Sequence, residues 1–144
     1  MKTPTPEIRQ AFYRRLLTAL PLGPVTEADI AWPNSNFRPD PGRVYLAPAV
    51  LFAETEIASL SPTGFERLSG IFQISVYGIA GQGEGELDCL GQALTDLYRG
   101  GTLLPIPCRQ HLSIARAWRS GLHFDDRPWL AVSASWHQYT QKGV

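Results

Sequence analysis

The chain has 144 residues, of which 44% are hydrophobic, and its 13 basic residues balance its 13 acidic ones. That length suits one domain of roughly 100–200 residues, so we expect residues 1–144 to form a single domain. A formal net charge of zero argues against broad, non-specific nucleic-acid binding, which needs a surplus of positive charge. It also leaves little repulsion between copies, as suits a subunit of an assembly.

The N-terminus and the cysteines bear on the cellular compartment. The opening segment MKTPTPEIRQAFYRRLL has no uninterrupted apolar core, and no window of the chain approaches 18 apolar residues. We therefore expect no signal peptide, no membrane span and a soluble protein made in the cytoplasm. Cys89 and Cys108 form no CxxC pair, and the three histidines have no zinc spacing. We expect reduced or buried thiols and no metal, with a disulfide as the alternative.

The first element is a helix. Thr5 and Pro6 are typical of a helix start, a capping residue followed by a first-turn proline. Pro21, Gly23 and Pro24 end it. Between them, apolar residues recur every three or four positions and predict one buried stripe: Ile8, Ala11, Phe12, Leu16, Ala19 and Leu20.

Strand-like segments follow. Residues Ala28–Trp32 fit a short strand, and Asn34–Gly42 is an irregular loop by its proline and asparagine content. Arg43–Phe52 is strand-like, with Pro48 marking an edge, a bulge or a break. We expect the stretch Ser59–Phe65 to be a turn or a mobile loop.

The strongest strand signal spans Glu66–Ile79. Phe72, Ile74 and Val76 point to one face and the intervening residues to the other. Pairing of this strand with Arg43–Glu56 predicts a long antiparallel β-hairpin.

A second helix and two more strands complete the pattern. The helix covers Gly83–Arg99, with Gly100 and Gly101 as stop signals. Alternation of apolar and polar residues predicts strands at His111–Trp118 and Trp129–Tyr139. The element order indicates an α+β fold, a mostly antiparallel β-sheet with two helices packed on one face.

The stretch YGIAGQGEGELDCLGQAL, Tyr77–Leu94, resembles a phosphate-binding loop at first sight. However, it lacks the third glycine of a dinucleotide fingerprint, and Glu84 stands where a P-loop needs lysine. Glu84, Glu86 and Asp88 would also repel a phosphate while stabilising the helix N-terminus. We expect a tight structural turn and no nucleotide or other cofactor.

The sequence contains little that indicates nucleophilic or acid–base catalysis. No G-x-S-x-G motif is present. A catalytic base with an orienting acid could be formed by His123 with Asp125 and Asp126. However, the segment HFDDRP has the composition of a solvated turn. The acidic pair lacks an apparent third metal ligand. We therefore predict no catalytic residue and no metal site.

Four tryptophans lie on or beside predicted strands: Trp32, Trp118, Trp129 and Trp136. Packing in the core or on the sheet is the first interpretation. The alternative is that one or two anchor a protein interface, where tryptophan is enriched.

Taken together, the motifs resemble the tail terminator (tail completion) proteins of long-tailed phages and prophages. The resemblance covers roughly Ile8–Tyr139 and includes a W-x-N-x-x-F run, a P-x-x-G-x-x-Y/W-L strand, a G-x-F-Q-V-x-V strand, a G-x-G turn and a T-x-L after the second helix. The matching residues are Trp32, Asn34, Phe37, Pro39, Gly42, Tyr45, Leu46, Gly70, Phe72, Gln73, Val76, Gly81, Gly83, Thr102 and Leu104.

The resemblance implies a function. Such proteins form a ring, typically a homo-hexamer, on the head-proximal end of the tail tube. The ring stops polymerisation of the tail tube protein and presents the surface to which the head, through a head-completion or connector protein, is joined. The resemblance also implies no enzymatic activity, cofactor or metal, and a location in the host bacterial cytoplasm during assembly and then in the virion tail or neck. Among partners we expect no membrane and no specific nucleic acid. We expect the isolated protein to be monomeric or weakly associated.

Two other classes stay open. One is another neck component, such as a head–tail connector or a minor tail subunit. The other is a small α+β enzyme or ligand-binding domain using His123 with Asp125 and Asp126. As oligomer-interface residues we predict Phe52 and Ile57, with core packing as the alternative for both apolar side chains.

Overall fold

The computed structural model describes residues 5–53, 56–57, 65–107 and 110–141. Within these ranges the chain forms two α-helices, a short 3₁₀ helix and seven strands. In chain order they are α1 (Thr5–Ala19), the 3₁₀ helix (Glu27–Asp29), β1 (Tyr45–Phe52), β2 (Glu56–Ile57), β3 (Phe65–Tyr77), α2 (Gly85–Leu97), β4 (Leu103–Leu104), β5 (Leu112–Arg119), β6 (His123–Phe124) and β7 (Pro128–Gln141).

All seven strands belong to one antiparallel sheet. Its order is β1-β3-β7-β5-β4, with β2 added to β3 and β6 added to β7. The predicted hairpin is confirmed, since β1 pairs with β3 in continuous register from Tyr45 opposite Tyr77 to Phe52 opposite Gly70. The segment predicted as a mobile loop lies outside the described residues, except for the Phe65 backbone at the start of β3.

Alternation of side chains along the strands defines one core face of the sheet. The buried residues on it include Leu46, Phe72, Ile74, Val76, Leu130, Val132, Ala134 and Trp136. Both helices cover this face, which confirms the predicted α+β arrangement. From α1 the buried residues are Ile8, Phe12 and Leu16, and from α2 they are Leu87, Leu90 and Leu94.

An aromatic cluster joins the helices to the sheet. The Phe12 ring stacks on Phe72 with centroids 4.6 Å apart and lies 6.1 Å from the Trp136 ring. Tyr98, the residue after α2, is fully buried, and its hydroxyl donates a 2.7 Å hydrogen bond to the Phe12 carbonyl oxygen. Burial raises the pKa of Tyr98, so the phenol stays neutral and this bond is present at ordinary pH.

The strand predicted at Ala28–Trp32 is wrong for most of its length. Asp29 explains the difference, because its carboxylate accepts hydrogen bonds from the Thr26 N–H at 2.9 Å and the Thr26 hydroxyl at 3.1 Å. These bonds, which close the chain into the 3₁₀ helix Glu27–Asp29, are the local alternative to strand pairing that aspartate and threonine favour. A single parallel bridge from Ile30 to Leu46 is all that the structure shows of a strand there.

Asp29 also makes the best-defined ion pair of the described residues. Its two carboxylate oxygens accept from Arg43 Nε at 2.8 Å and Nη2 at 2.7 Å, a bidentate geometry. The hydrogen bond from Arg43, together with those from Thr26, lowers the pKa of Asp29 from 3.8 to about 2, against the raising effect of burial. The pair fixes the start of β1 to the 3₁₀ helix.

Acid is therefore expected to weaken the fold through Asp29. Because the folded-state pKa lies below the unfolded one, the stabilisation is present above about pH 4 and is lost as the pH falls towards 2. At most about 2 kcal/mol of unfolding free energy is involved, since Arg43 is half-exposed and partly screened. Urea unfolding at pH 6 and pH 2.5 measures it, and Asp29→Asn should remove most of the difference. If Asp29→Asn lost as much unfolding free energy between pH 6 and pH 2.5 as the unmodified protein, this assignment would be contradicted.

Candidate assembly surfaces

Strand β1 forms one lateral edge of the sheet, and its hydrogen-bond pattern shows which backbone groups face outward. The N–H of Ala53 donates to Ser69 on β3 at 2.9 Å, whereas the carbonyl of Leu46 turns away from β3 to accept from Ala31 at 2.7 Å. Antiparallel strands alternate these two orientations. Val50 and Phe52 share the outward orientation of Leu46, and no described residue pairs with their backbone groups.

Pro48 lies in the same outward register. A proline has no N–H to offer a neighbouring strand, so this position suits an edge and blocks pairing at the middle of β1. Since the register across Pro48 is continuous, the structure selects the edge among the three predicted meanings of this proline. The part of the β1 edge that neither the Ala31 bond nor Pro48 occupies is thus Val50–Phe52, which we call the β1 tip.

The β1 tip exposes apolar side chains. Leu51 is 52% exposed and Phe52 36%. The Phe52 ring packs edge-on against Trp136, with centroids 5.5 Å apart, and the guanidinium of Arg9 lies 5.2 Å above it. Phe52 is thus part core and part surface. Ile57 belongs to β2 and lies opposite Glu66, while its side chain is outside the described residues. The interface role of both residues stays a prediction.

Gly70 is what lets the β1 tip approach the core. A Cβ at Gly70 would collide with the Leu51 carbonyl oxygen and stand 2.8 Å from the Trp136 ring. The absence of a side chain therefore brings the backbone of β1 onto β3 next to the buried indole. The sequence alone identifies Gly70 only through its place in the G-x-F-Q run.

A second surface lies at the opposite lateral edge, between α1 and β4. It is a groove of about 310 Å³ with a mostly apolar lining: Ala11, Arg14, Arg15, Thr18, Ala19, Leu97, Leu104 and Pro105. The Nε of Arg15 donates to the Leu97 carbonyl at 2.8 Å, which fixes that side chain. Arg14 is exposed, and no described residue pairs with its guanidinium. We call this the α1–β4 groove.

The glycine-rich loop is a structural corner, as predicted. Gly81 and Gly83 have φ of +83° and +80°, the left-handed region that glycine adopts without strain. The loop lies against the turn that joins β6 to β7, and a shallow cavity of about 320 Å³ between them is lined by Glu84, Asp125 and Asp126. Its charge is negative, which repels phosphate.

Two of the three residues considered for catalysis have structural partners. His123 stacks on the Trp129 ring with centroids 4.4 Å apart, and Asp125 accepts a 2.9 Å hydrogen bond from Trp129 Nε1. No cluster of three metal-ligating side chains occurs in the described part of the chain. Cys89 is an exposed, free thiol on α2, and Cys108 lies outside the described residues.

Tryptophan burial separates the two interpretations of these residues. Trp136 is 2% exposed and belongs to the core. Trp118 and Trp129 are half-buried on the face of the sheet away from the helices, where Arg116 lies 4.3 Å above the Trp118 ring. Trp32 is also half-buried and packs on Tyr13 at 4.9 Å. Core packing is therefore the role of Trp136. The other three tryptophans retain exposed surface, so the interface interpretation stays open for them.

Arg127 is a connecting residue that sequence reasoning missed. Its guanidinium donates to the carbonyl oxygens of Gly78 at 2.7 Å, Asp40 at 2.9 Å and Arg43, and it lies 4.9 Å above the Tyr45 ring. One side chain thus ties the β3 end, the loop before β1 and the start of β7 together. Nothing in the local pattern HFDDRP distinguishes it from a solvated turn arginine.

Arg127→Lys is expected to lower the free energy of unfolding by about 2 kcal/mol. Lysine keeps the charge but cannot span three carbonyl oxygens, which leaves acceptors unpaired. Chemical denaturation measures the change, and Arg38→Lys, an exposed arginine in the preceding loop, is the matched control. Equal stability of the two variants would show that the Arg127 contacts contribute nothing beyond charge.

Comparison with known proteins gives the class. The family model for phage tail terminator proteins matches residues 7–136. The chain therefore belongs to the phage tail terminator family, a family of structural proteins rather than enzymes, and is a structural protein of the phage tail that associates with other tail components. The resemblance seen in the sequence is confirmed.

Structural comparison agrees on the fold. Seven chains of solved structures match, and one of them has a TM-score of 0.72 at 19% sequence identity, covering 96% of this chain and 97% of its own. At that identity the likeness concerns the fold alone. A search of curated proteins gives no match. Neither described helix combines the length and the apolar character that crossing a bilayer requires.

Proposed function

We propose that this protein caps the head-proximal end of the phage tail tube as a ring, typically of six subunits. In this role it stops polymerisation of the tail tube protein and provides the surface to which the head, through its completion or connector protein, is joined. The observation that carries the proposal is the family match over residues 7–136. The chain works in the host bacterial cytoplasm during assembly and stays in the virion tail, in a phage or a prophage.

The surface of the fold supports an assembly role. The β1 tip and the α1–β4 groove are two apolar surfaces at opposite lateral edges of the sheet. A ring needs two different surfaces of this kind, because each subunit contacts its neighbours head to tail. Zero net charge keeps repulsion between copies low. Each surface is small, so the isolated chain is expected to be monomeric or weakly associated.

Deletion of the gene tests the function. We expect electron micrographs of the induced lysate to show tails longer than normal and not joined to heads, because the tube keeps growing past its stop point. Expression of the unmodified protein from a plasmid should restore both tail length and head joining. Tails of normal length that lack heads would instead indicate a connector or other neck component, and would contradict termination.

A further inference from the structure

We propose that the ring is closed by insertion of the β1 tip of one copy into the α1–β4 groove of the next. This inference rests on the proposed function and adds to it the two contacting surfaces. The partner of each surface is a second copy of this chain, and the contact is heterologous.

The first argument is position. In the sheet order β1-β3-β7-β5-β4, the tip belongs to the first strand and the groove borders the last. Surfaces at opposite ends of one sheet cannot meet within a copy. Joined between copies, they repeat the same contact in one direction, which generates a ring when the rotation closes.

The second argument is chemical complementarity. The tip offers apolar side chains, above all Leu51 at 52% exposure and Phe52 at 36%, together with the carbonyl oxygen of Phe52, which strand alternation turns away from β3. The groove offers an apolar floor that includes Leu97 and Leu104, with the guanidinium of Arg14 beside it. A guanidinium has donors and no acceptor, and the outward carbonyl oxygen of Phe52 has no described donor. Association therefore satisfies both polar groups while burying apolar surface.

The third argument concerns the alternative of edge-to-edge pairing between two β1 strands. Such pairing would use the outward N–H groups along the whole strand, and Pro48 has none. It would also be isologous, which yields a closed dimer rather than a ring. The structure thus favours the groove over a second β1 edge as the binding site of the tip.

Cysteine cross-linking tests the contact on assembled tails. In a background with both native cysteines replaced (Cys89→Ser, Cys108→Ser), Leu51→Cys and Thr18→Cys place one thiol on the tip and one in the groove, both at exposed positions. Mild oxidation of tails that carry both substitutions is expected to give a ladder of disulfide-linked species, up to the copy number of the ring. Each single variant should remain monomeric, because neither surface is expected to meet its own copy.

Charge insertion gives a second measurement. Leu51→Asp is expected to lower the fraction of capped tails about tenfold or more, the effect of losing one central apolar anchor. Leu17→Asp is the matched control, because Leu17 is an exposed leucine of α1 that does not line the groove. It should leave tail length normal.

Three outcomes would overturn the inference. A disulfide dimer from Leu51→Cys alone would show that two β1 edges meet. Normal tails with no ladder from the double variant would exclude the groove. Overlong tails from Leu51→Asp without any ladder would place the tip on the tube protein. In each case overlong tails from deletion of the gene would still support the terminator function, so the docking mode would fail while the proposed function stands.

Discussion

Trp136→Ala is expected to lower the free energy of unfolding by about 3–5 kcal/mol, the largest effect of any single substitution considered for this chain. The indole is 2% exposed and packs against Phe12 and Phe52, so its removal leaves a cavity that helix α1 and strand β1 cannot both close. A loss of that size is a large fraction of the 5–15 kcal/mol typical of a domain.

Urea denaturation followed by far-UV circular dichroism measures this loss. Trp118→Ala is the matched control, because its half-buried ring lies on the opposite face of the sheet. We expect the control to lose less than about 1.5 kcal/mol, since much of the ring is already solvated. Similar losses in the two variants would mean that Trp136 does not organise the core as its burial implies.

Gly70→Ala is expected to cost about 2–3 kcal/mol although it adds a single methyl group. The new Cβ meets the Leu51 carbonyl oxygen and the Trp136 ring, and one of the two contacts is rigid backbone. The clash can be relieved only if β1 moves away from β3. Such a backbone shift is the usual source of the energetic cost of overpacking. Because the β1 tip is the part that moves, capped tails should also become rarer in this variant.

Gly121→Ala provides the comparison for Gly70→Ala. A Cβ at Gly121 meets no atom within 4 Å, and its backbone is not in the left-handed region. We expect a change within about 0.5 kcal/mol there, as for most surface positions. Equal and small effects at Gly70 and Gly121 would show that β1 and β3 are not held as closely as the structure has them.

Much of the fold follows from short-range patterns. The alternation predicted both long strands to within two residues at each end, Glu66–Ile79 against Phe65–Tyr77 and Trp129–Tyr139 against Pro128–Gln141. It also predicted the core face of β3, because a slip of one residue would expose the buried side. Likewise, the apolar spacing predicted the buried face of α1, on which Ile8, Phe12 and Leu16 are fully buried. The 3₁₀ helix was missed because the bonds between Thr26 and Asp29 outweigh the apolar pattern of residues 28–32.

The assembly surfaces depend on information that no local pattern contains. Which strand is an edge depends on the whole sheet order, and Pro48 alone left three meanings open. In the sequence Gly70 is an ordinary strand glycine, because its close contacts with Leu51 and Trp136 are visible only in the structure. Arg127 and Tyr98 act through contacts far away in the chain, between 49 and 87 residues distant. Recognition of the family came instead from motif order along the chain.

Cryo-electron microscopy of the head-proximal tail end tests the central claim most directly. The account predicts one closed ring of this chain, typically of six copies, capping the last layer of tube subunits, with the β1 tip of each copy in the α1–β4 groove of the next. Absence of the chain from that end, or its presence along the tube or at the distal tip, would contradict the account.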